Sequence, residues 1–133
     1  MPTLSKLHVL LCELVQRPSI NPSLLPDRPD LTGEARVASY LAEKAEKAGI
    51  SAKRMPVLPR RQILVLRIRP SGKTKHRVML TPHMDVVPGN ERMFVPRIKK
   101  GLMHGRGTCD TKGSVAAFFQ AFLQLARNGP LPK

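Results

Sequence analysis

Apolar residues recur along the first part of the chain at helical spacing. Leu7, Leu10, Leu11, Leu14 and Val15 fall on one face and predict a short amphipathic helix over 5–16. Ser5 is placed to cap its start and Pro18 to stop it. Residues 18–31 carry Pro18, Pro22, Pro26 and Pro29 with Asn and Ser between them, a pattern of irregular loop. A second helix is expected from about Thr32, with Thr32 as its cap and Glu34 in the first turn. Ala38, Leu41, Ala45 and Ala48 line its inner face, Glu43, Lys44, Glu46 and Lys47 its wet face, and Gly49 ends it.

Beyond Ile50 the period changes. Ile50–Val57 reads as a strand bounded by Pro56 and Pro59. Gln62–Arg69 is apolar on both faces, through Ile63, Leu64, Val65, Leu66 and Ile68, which suits a sheet covered on each side. Ser71-Gly72-Lys73 turns the chain into Arg77–Thr81, a short buried strand of Val78, Met79 and Leu80. After the turn Pro88-Gly89-Asn90, the segments Val95–Ile98 and Leu102–His104 form a hairpin around Lys100-Gly101. A last helix runs from about Ser114 to Arg127, with Val115, Phe118, Phe119, Phe122, Leu125 and Ala126 inward and Asn128-Gly129-Pro130 at its end. The order predicts an α/β fold, a mixed sheet flanked by helices.

Composition narrows the picture. At 133 residues and 41% hydrophobic, the chain fits one modest domain with an aliphatic core, since it has no Trp, one Tyr and four Phe. No run approaches the ~18 apolar residues of a membrane span. The run Leu7–Cys12 is cut short by Glu13 with no small-residue cleavage site, so it is not read as a signal peptide. Cys12 and Cys109 lie far apart and form no CxxC pair, which points to free thiols and a cytoplasmic location.

Charge adds a sharper signal. The net charge is +14, and residues 51–133 carry all of it. Their acids are Asp85, Glu91 and Asp110 alone. Such a basic half raises nucleic-acid binding as a function class. The cations are scattered and lack interleaved aromatics, which argues for a solvated face or one that meets an acidic partner.

The candidate chemistry lies where the acids survive. His83-Met84-Asp85 follows the expected strand, at the end where open α/β sheets gather their functional groups. Asp110 sits in a loop framed by Gly105, Gly107 and Gly113. Zinc takes His nitrogen and carboxylate oxygen, and a ligating His has its second nitrogen held by a carboxylate or carbonyl. Asp85 could orient His83 or bind metal itself, and Asp110 could return a carboxylate to the same point. His8, His76 and His104 are read as surface or core histidines. The glycine loop is not a phosphate cradle, because Asp110 occupies the place of a third glycine and Lys112 precedes Gly113.

Together the segments PHMDVVPG and VPRIKKGLMHGRGTCDTKGSVAA, with GEARVASYLAEKAEKAGI upstream, resemble the zinc exopeptidases and deacylases related to acetylornithine deacetylase, succinyl-diaminopimelate desuccinylase, aminoacylase and glutamate carboxypeptidase. The resemblance runs over nearly the whole chain from Leu7. It implies that His83 is a ligand of one metal, that Asp110 bridges two zincs, and that Asp85 is the catalytic support that fixes and polarises His83. It implies hydrolysis of the amide of N-acyl amino acids or small peptides by metal-activated water, with cobalt able to replace zinc. It also implies a cis peptide between Asp110 and Thr111.

Departures are informative. His104 replaces the family's usual Tyr, the Trp ahead of the hairpin is absent, and Gln62 stands where Asn is common. None touches an implied ligand. The family's general base and a further ligand come from adjacent glutamates, and this sequence has no Glu-Glu pair. The expectation is therefore that residues 1–133 are the N-terminal portion of a metallopeptidase catalytic domain, incomplete, inactive alone, and without the lid or dimerisation domain that would make a homodimer. Two alternatives differ in class: a basic remnant that binds nucleic acid or a partner, and a half-enzyme completed by a separate acidic chain.

Overall fold

The computed structural model describes residues 5–73 and 75–128. Helix α1 (Lys6–Val15) starts where Ser5 Oγ accepts the His8 N–H at 3.4 Å, so the sequence-predicted cap is the real one. Leu10, Leu14 and Val15 are buried.

Helix α2 (Ala35–Lys47) begins later than the expected cap at Thr32. Gly33 has φ +86°, a left-handed turn that no helix can contain, and Thr32 lies in a parallel bridge with Ile20. Glu34 takes the cap position, but its carboxylate makes no cap bond because it is committed to Arg61. The helix buries Val37, Ala38, Leu41, Ala42 and Ala45. At the far end Gly49 has φ +74°, and the Gly49 and Ile50 N–H groups donate to the Glu46 and Ala45 carbonyls at 2.9 Å. This pair of bonds satisfies carbonyls that a helix end otherwise leaves open, and Ile50 packs into the core.

β1 (Ser51–Leu58) and β2 (Arg61–Arg67) pair antiparallel, joined by a tight turn in which Arg60 has φ +63°. Ala52, Leu64 and Leu66 pack onto the core that α2 contributes to. A 3-10 turn (Glu91–Phe94) precedes β3 (Arg97–Lys99) and β4 (Leu102–His104). Their turn is Lys100-Gly101, with φ +52° and +77°, the successive positive values that match the twist of a two-residue hairpin.

The α/β architecture is thus present as helices with small antiparallel sheets. Parallel pairing occurs only at single bridges, Ile20 to Thr32 and Ile20 to Val86, so both pairings exist without joining into one sheet among the described residues. The expected strand at 77–81 forms no ladder there, and Val78 and Met79 are 83% and 81% exposed. Its apolar run has the local pattern of a buried strand, but a strand needs a neighbour, and β1 and β2 pair with each other.

Helix α3 (Lys112–Arg127) packs on α1 through Val115, Ala116, Phe119 and Leu123. Phe118 and Leu125, expected inside, are exposed. One neighbouring helix buries one stripe, and these two residues lie on a second. Gly129 and Pro130 lie outside the described residues. The main core joins α1, α2 and α3, while Ile20, Val86 and Phe94 form a smaller cluster beside the site.

Candidate metal centre

The backbone first sets two segments side by side. Val86 N–H donates to Ser19 O (3.0 Å), Asn21 N–H donates to Val86 O (2.9 Å), and Ser19 Oγ donates to Met84 O (2.7 Å). This zipper fixes Asp85 between Met84 and Val86, against the Pro-rich loop. The loop is therefore structural in its consequences, because it holds the site from below.

His83 then meets both acids. Its Nδ1 lies 3.0 Å from the Asp85 carbonyl oxygen and 3.3 Å from Asp85 Oδ1, and its Nε2 lies 3.0 Å from Asp110 Oδ1. The three residues singled out in the sequence are thus one cluster. Burial lowers the His83 pKa, but the hydrogen bonds to Asp110 and to the Asp85 carbonyl, with both negative charges, outweigh it and the net shift is upward. Asp110 stands out into solvent, its side chain 85% exposed.

The glycine loop earns its composition. Arg106 N–H donates to Met93 O (2.7 Å) and Thr108 Oγ1 to Gly105 O (3.1 Å). Gly107 has φ +88°, and a Cβ there would sit 2.9 Å from Val86 and 3.1 Å from the Lys112 side chain. The Asp110–Thr111 peptide is cis, as the resemblance implies. Lys112 next runs inward, fully buried, and donates from Nζ to the Leu14 and Arg17 carbonyls at 2.9 and 2.7 Å. It thereby ties the Asp110 loop to the C-terminal end of α1, which has no basic residue of its own in its last turn. Burial, and then the charges of Arg36 and Arg17, push its pKa down to about 7.

Four participants escaped the sequence reading: Asn21, Glu34, Arg61 and Lys112. Asn21 Nδ2 and Arg61 Nη2 donate to Asp85 Oδ2 at 2.8 and 3.4 Å, and Arg61 Nε donates to the buried Glu34 carboxylate at 2.6 Å. Glu34 carried one signal, a carboxylate placed beside an apolar helix face. Arg61 carried none among so many cations, and Lys112 was weighed only as a phosphate ligand.

The cleft over these residues, lined by Asn21, Leu24, His83, Asp85, Val86, Val87 and Asp110, holds about 100 Å³. Small-molecule pockets run from roughly 300 Å³ upward. The described residues enclose less space than such a pocket needs. Among them no three His, Cys, Asp or Glu side chains gather as a metal-binding group.

The model of the family "Peptidase family M20/M25/M40" matches residues 79–133, the segment that holds His83, Asp85 and Asp110. Succinyl-diaminopimelate desuccinylase of Stenotrophomonas maltophilia (strain R551-3) is 32% identical over 127 residues, covering 91% of this chain and 30% of that protein. The protein of the same name from Methylorubrum extorquens (strain PA1) is 31% identical over 128 residues, covering 88% and 30%. That from Hahella chejuensis (strain KCTC 2396) is 29% identical over 134 residues, covering 96% and 31%. The chain therefore spans about 30% of the length of the curated relatives it matches. A family match across the segment with all three site residues, and relatives aligned along most of the chain, show that over this length it is similar to peptidase family M20/M25/M40.

Proposed function

We propose that the chain carries half of a two-zinc site that hydrolyses the amide of an N-acyl amino acid or small peptide. The single observation that supports this is His83 held by Asp85 on one ring nitrogen and facing Asp110 with the other. A hydrogen on Nδ1, given to the Asp85 carbonyl and carboxylate, leaves the Nε2 lone pair for a metal. Asp110 offers an exposed carboxylate beside it. The donor types fit zinc, and cobalt as its substitute, but the number does not, because even catalytic zinc sites use three protein ligands. We assign the remaining ligands and the general base to polypeptide outside these 133 residues.

When bound, the metal pair would supply Lewis acidity that activates water and steadies charge on the amide oxygen. The chain's own residues do the rest of what is visible here. His83 and Asp110 would hold the metals, and Asp85 would fix the imidazole. The name shared by the relatives makes a succinylated amino acid the leading substrate class. A cytoplasmic location fits two free cysteines, and no described helix is long and apolar enough to cross a membrane.

The test is zinc binding and hydrolysis by the purified chain. We expect weak zinc binding that His83→Ala abolishes, and no turnover of N-succinyl or N-acetyl amino acids. Sustained turnover by the chain alone would overturn the half-site reading, and zinc binding indifferent to His83→Ala would overturn the ligand assignment.

A further inference from the structure

A carboxylate that orients a ligand must itself be oriented. The torsion that turns the Asp carboxyl group is broad and roughly two-fold, so an Asp with one partner leaves its oxygens free to exchange. Asp85 is not in that condition. Its Oδ2 accepts from Asn21 Nδ2 (2.8 Å) and from Arg61 Nη2 (3.4 Å), which leaves Oδ1 turned to His83 Nδ1 at 3.3 Å.

Both donors are themselves fixed. Asn21 uses both ends of its amide: Oδ1 accepts the Ser23 N–H at 3.0 Å while Nδ2 faces Asp85. Reversing the amide would break both bonds. Its backbone is clamped as well, through Val86. Arg61 spends Nε on Glu34 Oε1 at 2.6 Å, and Glu34 is only 5% exposed, so this end of the guanidinium is anchored inside the fold. A planar guanidinium held at one edge presents its other nitrogen in a set direction.

The chain path explains why Arg61 arrives there. The turn at Arg60 is seated against Gly33, where a Cβ would come within 2.4 Å of the Arg60 carbonyl oxygen. Arg60 also donates to Thr32 Oγ1 (2.9 Å) and to Pro26 O (3.2 Å). The tip of the first hairpin is therefore docked on the approach to α2, with Arg61 next to Glu34.

We infer that Arg61 and Asn21, with Glu34 behind Arg61, are positioning residues that lock the Asp85 carboxylate, which acts together with the Asp85 carbonyl at 3.0 Å to hold the hydrogen of His83 on Nδ1. The inference deepens the metal-ligand reading of His83, since that hydrogen placement is what frees Nε2. It joins the hairpin tip, the start of α2 and the Pro-rich loop to one proton on one ring.

The experiment reads that proton directly. Imidazole nitrogen NMR is recorded on the metal-free chain at about pH 9, above the ordinary histidine range. The background is Asp110→Ala, so that the Asp110 carboxylate does not compete for Nε2. We expect His83 in the Nδ1–H form. Asn21→Ala and Arg61→Met should each shift it toward the Nε2–H form that a free imidazole favours. Arg54→Met, which removes a bond to Ser39 from the same hairpin but touches neither its tip nor Asp85, should leave it unchanged. Amide spectra report that each variant is folded, and if Arg61→Met unfolds, Asn21→Ala decides alone. His83 in the Nε2–H form in the background chain would overturn the inference. So would an unchanged tautomer in the folded Asn21→Ala variant, or an equal shift in Arg54→Met. Because no metal is present, a failed zinc assignment and a failed positioning role give separate results.

Discussion

Replacing Lys112 by Met tests the tie between the Asp110 loop and α1. The substitution keeps an unbranched apolar stem of similar length and removes the amine. Two effects oppose each other. Lost donors leave the Arg17 carbonyl without its partner, while Leu14 O keeps the Arg17 N–H at 3.2 Å. One unsatisfied buried group costs about 1–3 kcal/mol. Against this, Met removes a buried cation whose pKa falls from 10.5 to about 7. At about 1.4 kcal/mol per unit, that burial costs the wild type roughly 4–5 kcal/mol below neutral pH. The sign follows from proton counts. The unfolded lysine stays protonated up to its ordinary value while the folded one releases its proton near 7, so wild-type stability rises with pH across that window. The penalty is complete below the folded pKa and has shrunk to about 2 kcal/mol near pH 9. Urea unfolding with a chelator at pH 6 and pH 9 should therefore show Lys112→Met equal to or more stable than wild type at the lower pH. The difference should then move by about 2–3 kcal/mol in favour of wild type at the higher pH. Parallel profiles would refute the argument, and would mean that the two carbonyls and the Phe94 ring, 5.9 Å away, keep the ammonium charged.

Two further outcomes follow from geometry. Gly33→Ala forces a side chain onto φ +86° and against the Arg60 carbonyl at 2.4 Å, so it should cost about 2–4 kcal/mol in urea unfolding; a cost within experimental error would show that the hairpin tip is not docked there. His83 should titrate above its ordinary value in the metal-free chain and fall back in Asp110→Asn. Any stability it lends is complete below the unfolded value and lost as pH rises through the raised folded one, and an unchanged titration in Asp110→Asn would discard the Asp110 contact.

What could be read from the sequence is what local physics decides. Ser5 caps α1, Gly49 stops α2 and Lys100-Gly101 turns the second hairpin, because caps and positive φ belong to single residues. Thr32 failed as a cap for a reason two elements away: its hydroxyl serves Arg60 and its backbone pairs with Ile20. The segment 77–81 failed similarly. Its pattern specifies extended apolar chain, while burial depends on which strand lies alongside.

The site divides along the same line. His83, Asp85 and Asp110 were visible because they sit in short segments and because carboxylates are scarce in the basic half. Scarcity alone does not mark function, since Glu91, the third acid there, pairs with Arg28 at 2.9 Å on an exposed surface. What separates Asp85 and Asp110 from Glu91 is the histidine between them. The supports were invisible because each crosses a long stretch of chain: Asn21 and Arg61 reach Asp85 from separate elements, and Lys112 reaches back to α1. An Arg among many cations, or a Lys beside a glycine, has no local mark of its partner. A site whose donors are local and whose supports are distant is recognisable before its fold is known, yet its geometry depends on the fold being formed.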